Sequence, residues 1–193
     1  MSTAKRPPLT QSVSAPRVES WTPQVFTSRL DEAMKIYATA MHYPSSTATQ
    51  RGISARKHSG IDGFACRAAL DEHGKLLGFG YGYTSKPGQW WHDLVRRAVS
   101  RETAREWLTD GFELSKFHVL PEYQGLGIGR QLIVSLAQGI AHHAMLLSTP
   151  DADTRAFRLY RDLGFEDLVR NYLFPGDVRP FAVLGARLPL DVD

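Results

Sequence analysis

A single cysteine, Cys66, stands in 193 residues. That excludes an internal disulfide and any multi-cysteine zinc pattern, and it points to a reducing compartment, the cytoplasm. Long apolar runs are missing as well. The most apolar stretch, residues 132–147, is interrupted by Gln138, His142 and His143, which argues against a membrane span. The N-terminus carries Lys5 and Arg6 but no apolar segment follows them, so a secretory signal is not expected. Charge of one sign is scarce: 23 Lys and Arg against 20 Asp and Glu leave a formal charge of +3. With no helix concentrating Arg and Lys and no nucleic-acid motif, nucleic acid is not an expected partner, and a phosphate-rich small ligand suffices for the mild basicity. No internal repeat is visible.

What the chain does contain is a globular composition. Hydrophobic residues make up 42% and charged residues 22%, far from the balance of a disordered chain, and the length suits one core. Residues 1–17 are rich in Pro, Ser, Thr and basic side chains without apolar periodicity and read as a flexible tail, leaving 18–193 as the folded domain. A short strand is predicted over 18–26. Leu30, Ala33, Met34, Tyr37 and Met41 recur at helical spacing, and 47–58 reads as a second, weaker helix. Strands at 64–70 and 76–84 flank the turn residues Asp71 to Lys75, an antiparallel hairpin. Residues 89–109 read as one helix stopped by Asp110-Gly111. Strand and helix then alternate: strand 112–120, helix 127–141, strand 144–148, helix 154–163, and closing strands 165–173 and 181–188 around Pro175-Gly176-Asp177.

The informative stretch is Gln124-Gly125-Leu126-Gly127-Ile128-Gly129-Arg130, where a strand gives way to a helix. Glycines there let backbone amides approach a ligand, and the helix start adds unpaired N–H donors and a positive dipole end, a setting for linked phosphates. Spacing discriminates among phosphate loops. A dinucleotide fingerprint counted from Gly125 would place its third glycine at Arg130, and a nucleoside-triphosphate loop would need a Lys-Ser/Thr pair that is missing. What remains is Q-x-x-G-x-G at Gln124, Gly127 and Gly129, preceded by Val119-Leu120-Pro121-Glu122-Tyr123.

That pattern resembles the acetyl-CoA motif of the GCN5-related N-acetyltransferase (GNAT) superfamily. A second element, A-x-x-x-Y-x-x-x-G-F at Ala156, Tyr160, Gly164 and Phe165, is similar to the one on the superfamily's next helix. The motifs lie between Glu113 and Phe165, while the order of elements extends the resemblance over roughly 18–188. The resemblance implies an α/β fold, a twisted mixed sheet with a central splay, flanked by helices. It implies acetyl-CoA as cosubstrate, an amine acceptor, and cofactor contacts from the backbone around Val119 and from Gln124, Gly125, Leu126, Gly127, Ile128, Gly129 and Arg130. The pantetheine arm would lie between the strand ending at Val119 and the strand at 144–148. Arg130 reads equally as a phosphate contact or a solvated cation. An Asn that the family often places at the start of the second helix is replaced by Asp153, expected to cap that helix instead.

Acyl transfer from a thioester to an amine needs a base for the ammonium and an acid for the departing thiolate. Tyr160 matches the family's tyrosine and is the expected acid; the plainer reading is a packed aromatic. For the base, period-two alternation puts Glu113 on the strand face of Val119 and His118 on the opposite face, unless a bulge intervenes. Glu113 is the first choice, His118 has the better unperturbed pKa, and a water chain could replace both. Trp90 and Trp91, with His92 and Asp93, are candidates to receive the acceptor by cation–π and ion-pair contacts, or else are simply packed. No metal is required. The alternative function is a catalytically silent acyl-CoA-binding module, and the sequence leaves open the acceptor's identity and whether two chains pair as a homodimer.

Overall fold

The structure is a computed structural model describing residues 15–191. Of the segment read as a tail, residues 1–14 lie outside the described residues, and Arg17 already belongs to the first strand. The elements run β1 (Arg17–Trp21), α1 (Pro23–Ser28), α2 (Leu30–Ala40), α3 (Ser45–His58), β2 (Ala65–Leu70), β3 (Leu76–Ser85), α4 (Trp90–Ala98), α5 (Arg101–Trp107), β4 (Gly111–Val119), α6 (Ile128–Gln138), β5 (Ala144–Pro150), α7 (Arg155–Asp162), β6 (Glu166–Tyr172) and β7 (Phe181–Arg187).

Two boundaries depart from the sequence reading for identifiable reasons. The strand predicted over 18–26 stops at Trp21, because Thr22 caps a helix by accepting from the Val25 N–H and Pro23 takes its first position. The helix predicted over 89–109 is two helices. Val99 is extended, and Ser100 starts the second by accepting from the Thr103 N–H.

All seven strands form one mixed sheet in the order β1-β2-β3-β4-β5-β7-β6. Every neighbouring pair is antiparallel except β4 and β5, which run parallel. The first face is covered by α1 to α3, packed on Phe79, Tyr81 and Tyr83, and farther along by α4 and α5 on Leu146 and Val183. The second face is covered by α6 and α7, through Ile133, Leu136 and Tyr160 against Phe112, Leu114 and Leu147. Burial of these side chains, each contributing about 1.5–3 kcal/mol, holds the layers together.

The feature that positions a site is the β4–β5 junction. The two strands pair only from Gly111↔Ala144 to Glu113↔Leu146. Beyond that they part, although β4 continues to Val119 and β5 to Pro150. The twisted sheet with a central splay, expected from the family resemblance, is present.

Candidate active site

The splay opens a cavity of about 640 Å³ that passes between β4 and β5. At one end lie Gly125, Gly127, Gly129, Arg130 and Arg155. Gly125 and Gly127 have φ of +83° and +81°, the left-handed region where a side chain costs roughly 1–2 kcal/mol. Gly127 is the residue before α6, and a Cβ built on it meets no atom within 4 Å, so it faces open space. Gly129 is already helical and lies close to Leu159 and Phe117, which makes its small size a packing requirement. Leu126 is exposed and Ile128 is buried under the sheet.

Midway along the cavity, the Leu120 N–H donates to the Leu77 carbonyl of β3. Strand alternation therefore turns the backbone of Val119 away from β3, towards the splay. The Val119 carbonyl is taken by the Gln124 side chain, whose Nε2 donates at 3.0 Å. The glutamine of the motif thus ties the loop to the strand end. An extended arm bearing amide groups fits the unpaired edge beyond Glu113, and a diphosphate fits the amides at the start of α6.

The second cavity, about 440 Å³, lies on the first face between α3 and α4. Glu113, Tyr81, Tyr83, His58, Trp90 and Trp91 line it, and it shares Arg51, Leu114, Ser115, Lys116 and Ser148 with the first. The Trp91 indole donates to Ser148 Oγ at 3.2 Å, whereas Trp90 is 61% exposed beside Phe174. Of the neighbours proposed with them, His92 is buried against Ser85 and Asp93 accepts from the Gly88 N–H, so neither belongs to this cavity.

The alternation argument for β4 fails, and a bulge is the reason. Tyr81 pairs with Lys116 but Gly82 pairs with Leu114, leaving Ser115 as an extra residue. Glu113, Lys116 and His118 consequently share the first face with Tyr83, Tyr81 and Phe79, while Val119 faces α6. Glu113 and Val119 are on opposite faces, contrary to expectation, and Glu113 and His118 are on the same one.

Glu113 is buried, with Oε1 accepting from the Tyr83 hydroxyl at 3.2 Å and Oε2 without a partner. Burial pushes its carboxyl up to about 7, against smaller opposing effects of the Tyr83 hydrogen bond and Lys116. Lys116 and His118 sit at the crowded cavity floor, partly reached by solvent. Burial and the nearby Arg51 bring Lys116 down to about 8. Burial and Lys116 bring His118 down to about 3, and its ring packs against Tyr37 and Phe79. Tyr160 lines the first cavity, flanked by Phe117 and Phe165, and burial raises its pKa above the ordinary phenol value. The helix carrying Tyr160 is capped by Thr154, which accepts from the Phe157 N–H. Asp153 is not the cap and instead pairs with Arg158 at 2.6 Å. Lys116, Arg51, Tyr83 and Ser148 escaped the sequence reading. Only Lys116, a cation within a strand, gave any signal there.

Among the described residues, no group of three or more His, Cys, Asp or Glu could hold a metal ion, and no helix is long and apolar enough to cross a membrane.

A splayed mixed sheet with a glycine loop at the start of the next helix defines an acyl-CoA N-acyltransferase architecture. Comparison with known proteins agrees. The acetyltransferase (GNAT) domain family matches residues 66–167. A GCN5-like protein acetyltransferase of Mycobacterium tuberculosis is 37% identical, over 84% of this chain and 93% of the relative. The chain belongs to the GNAT family of acetyltransferases, and acetyl-CoA is its cosubstrate. Among solved structures, the phosphinothricin acetyltransferase of Sinorhizobium meliloti in complex with acetyl-CoA has a TM-score of 0.60 at 19% identity, covering 90% of this chain and 88% of that one. The ribosomal-protein-S18-alanine N-acetyltransferase of Escherichia coli has a TM-score of 0.58 at 20% identity, covering 89% and 93%. At these identities the likeness is one of fold.

Proposed function

We propose that the protein transfers the acetyl group directly from acetyl-CoA to a primary amine, with Glu113 as general base, acting directly or through a water, and Tyr160 as general acid. The observation carrying this reading is Glu113: a carboxylate with one unpartnered oxygen, lining the second cavity next to Leu114, Ser115 and Lys116 of the wall that the two cavities share, with its pKa raised to about 7. A base poised near neutrality removes an ammonium proton without being permanently protonated. His118 is a poorer base, because a pKa near 3 makes its protonated form unstable at working pH.

In the reaction, Glu113 takes a proton from the acceptor ammonium. The freed nitrogen lone pair forms the N–C bond at the thioester carbonyl. As the C–S bond breaks, its electron pair leaves with sulfur, Tyr160 supplies that sulfur's proton, and the second proton that the nitrogen sheds on becoming an amide restores the Tyr160 hydroxyl through water. The loop from Gln124 to Arg130 and the Val119 backbone hold the cosubstrate, the amides at the start of α6 taking the diphosphate. Trp90 and Trp91 form the apolar wall along which the acceptor reaches Glu113. What supports Tyr160 as donor is its place in the first cavity and its match to the family's tyrosine; burial makes the phenol a weaker acid at rest, so the proton moves only as the more basic thiolate develops.

The test is release of coenzyme A thiol on mixing acetyl-CoA with a panel of primary amines, with the acetylated product weighed by mass spectrometry. Amine-dependent release is expected. Tight acetyl-CoA binding with no amine acetylated would instead favour a silent binding module.

A further inference from the structure

The wall shared by the two cavities carries more positive charge than the proposed reaction uses. Arg51 of α3 and Lys116 of β4 line both cavities. Among the described residues neither takes part in an ion pair, although ten other ion pairs occur. Arg51 is close to Lys116, whose charge it disfavours, and its guanidinium lies beside the Tyr37 hydroxyl. The Lys116 ammonium sits 5.4 Å over the Tyr37 ring. A third cation of the first cavity, Arg179, is already neutralised by Asp177 at 2.8 Å. The cosubstrate does not account for Arg51 and Lys116, because its phosphates belong at the opposite end, with Arg130, Arg155 and the start of α6.

Two cations with no carboxylate at ion-pair distance, Lys116 feeling Glu113 only from farther off, stand where an acceptor ammonium must enter. A bare polyamine meets like charge there, whereas an acceptor carrying a carboxylate close to its amine brings its own neutralising partner. Arginine is suited to that partner, since its planar fork takes a carboxylate through two parallel hydrogen bonds. Outside the second cavity the apolar surface continues, with Trp90 of its lining exposed beside Phe174 and the neighbouring Leu173 exposed after the end of β6. A polypeptide covers such a surface, and a small amine leaves it bare.

Building on the acetyltransferase reading, we propose that the acceptor is a lysine of a polypeptide with an aspartate or glutamate beside it, the acidic side chain being held by Arg51 and Lys116. The lysine stem then runs along the Trp90 and Trp91 wall to Glu113.

The experiment compares acetyl transfer to three peptides of one sequence in which the residues flanking a single lysine are Asp, Ala or Arg, alongside free lysine and spermidine. Arg51 is exposed, so Arg51→Gln and Arg51→Glu leave the core intact. The acidic-flanked peptide is expected to exceed the Ala-flanked one in kcat/KM by about tenfold, a usual size for one charge-assisted contact. Arg51→Gln brings that ratio close to one, and Arg51→Glu turns the preference towards the Arg-flanked peptide, an inversion that a merely structural role would not produce. Calorimetry of the acidic-flanked peptide on protein loaded with coenzyme A supplies a readout independent of turnover. Arg51-dependent binding without turnover would support this acceptor site and sink the catalytic reading. Turnover with no flank preference, with a preference indifferent to Arg51, or confined to free lysine or spermidine would overturn the acceptor assignment and leave the catalytic reading standing. Neither binding nor turnover with the acidic-flanked peptide would also overturn it.

Discussion

Replacing Glu113 by glutamine tests the site through two independent quantities, rate and stability. The substituted amide keeps an oxygen for the Tyr83 hydroxyl and places its NH2 where Oε2 now lacks a partner, so one unsatisfied group is exchanged for another. The base, however, is gone, and kcat/KM should fall by about a hundred- to ten-thousandfold. The wild-type rate should rise with pH up to about 7, where the carboxyl loses its proton, and then level, and Glu113→Gln should lose that limb. Stability should move the other way. Below pH 4.5 the carboxyl is protonated in both the folded and the unfolded chain, and the two proteins differ little. Between 4.5 and about 7 the unfolded chain has released its proton while the folded one retains it, so wild-type stability declines relative to the variant. Above about 7 the gap stays constant. At about 1.4 kcal/mol per tenfold change, it amounts to about 3 kcal/mol at most. Urea denaturation of both proteins at about pH 4, 6 and 8.5, points that bracket this window, reads the difference. A gap that fails to widen with pH would refute the burial argument, and an unchanged pH–rate profile would remove Glu113 as base.

Tyr160→Phe removes only the hydroxyl from a packed ring, so kcat should drop at least about tenfold while the calorimetric affinity for acetyl-CoA is retained; undiminished turnover would remove Tyr160 from the mechanism. Gly127→Glu puts a carboxylate into the open space proposed for the diphosphate and should abolish acetyl-CoA binding. Because the +81° backbone adds strain of its own, Gly127→Ala serves as the control, expected to lose about 1–2 kcal/mol of stability while keeping measurable affinity. Unchanged affinity in Gly127→Glu would displace the phosphate site from this loop.

The glycine loop proposed to hold the cosubstrate was legible because its geometry is set locally. Gly125 and Gly127 adopt backbone angles that only small residues tolerate, and Gln124 closes a contact to a residue five positions back. The surface proposed for the acceptor was not, because it depends on which face each residue of β4 presents, and one extra residue reverses that. The clue was nevertheless written in the strand: the apolar residues Phe112, Leu114, Phe117 and Val119 step by two, then three, then two. Reading the three-step as a bulge would have put Glu113, Lys116 and His118 together. Arg51 and Tyr83 come from elements far away in sequence, and nothing local marks their convergence on Glu113.

The slack introduced by Ser115 has a further consequence. It aims the carboxylate at one side of the sheet while the end of the same strand faces the other, which gives the two proposed reactants separate doorways that meet at a single partition. On the proposed reading each can enter or leave without clearing the other's path, both can be held at once, and the acyl group never has to be parked on the protein between donor and recipient.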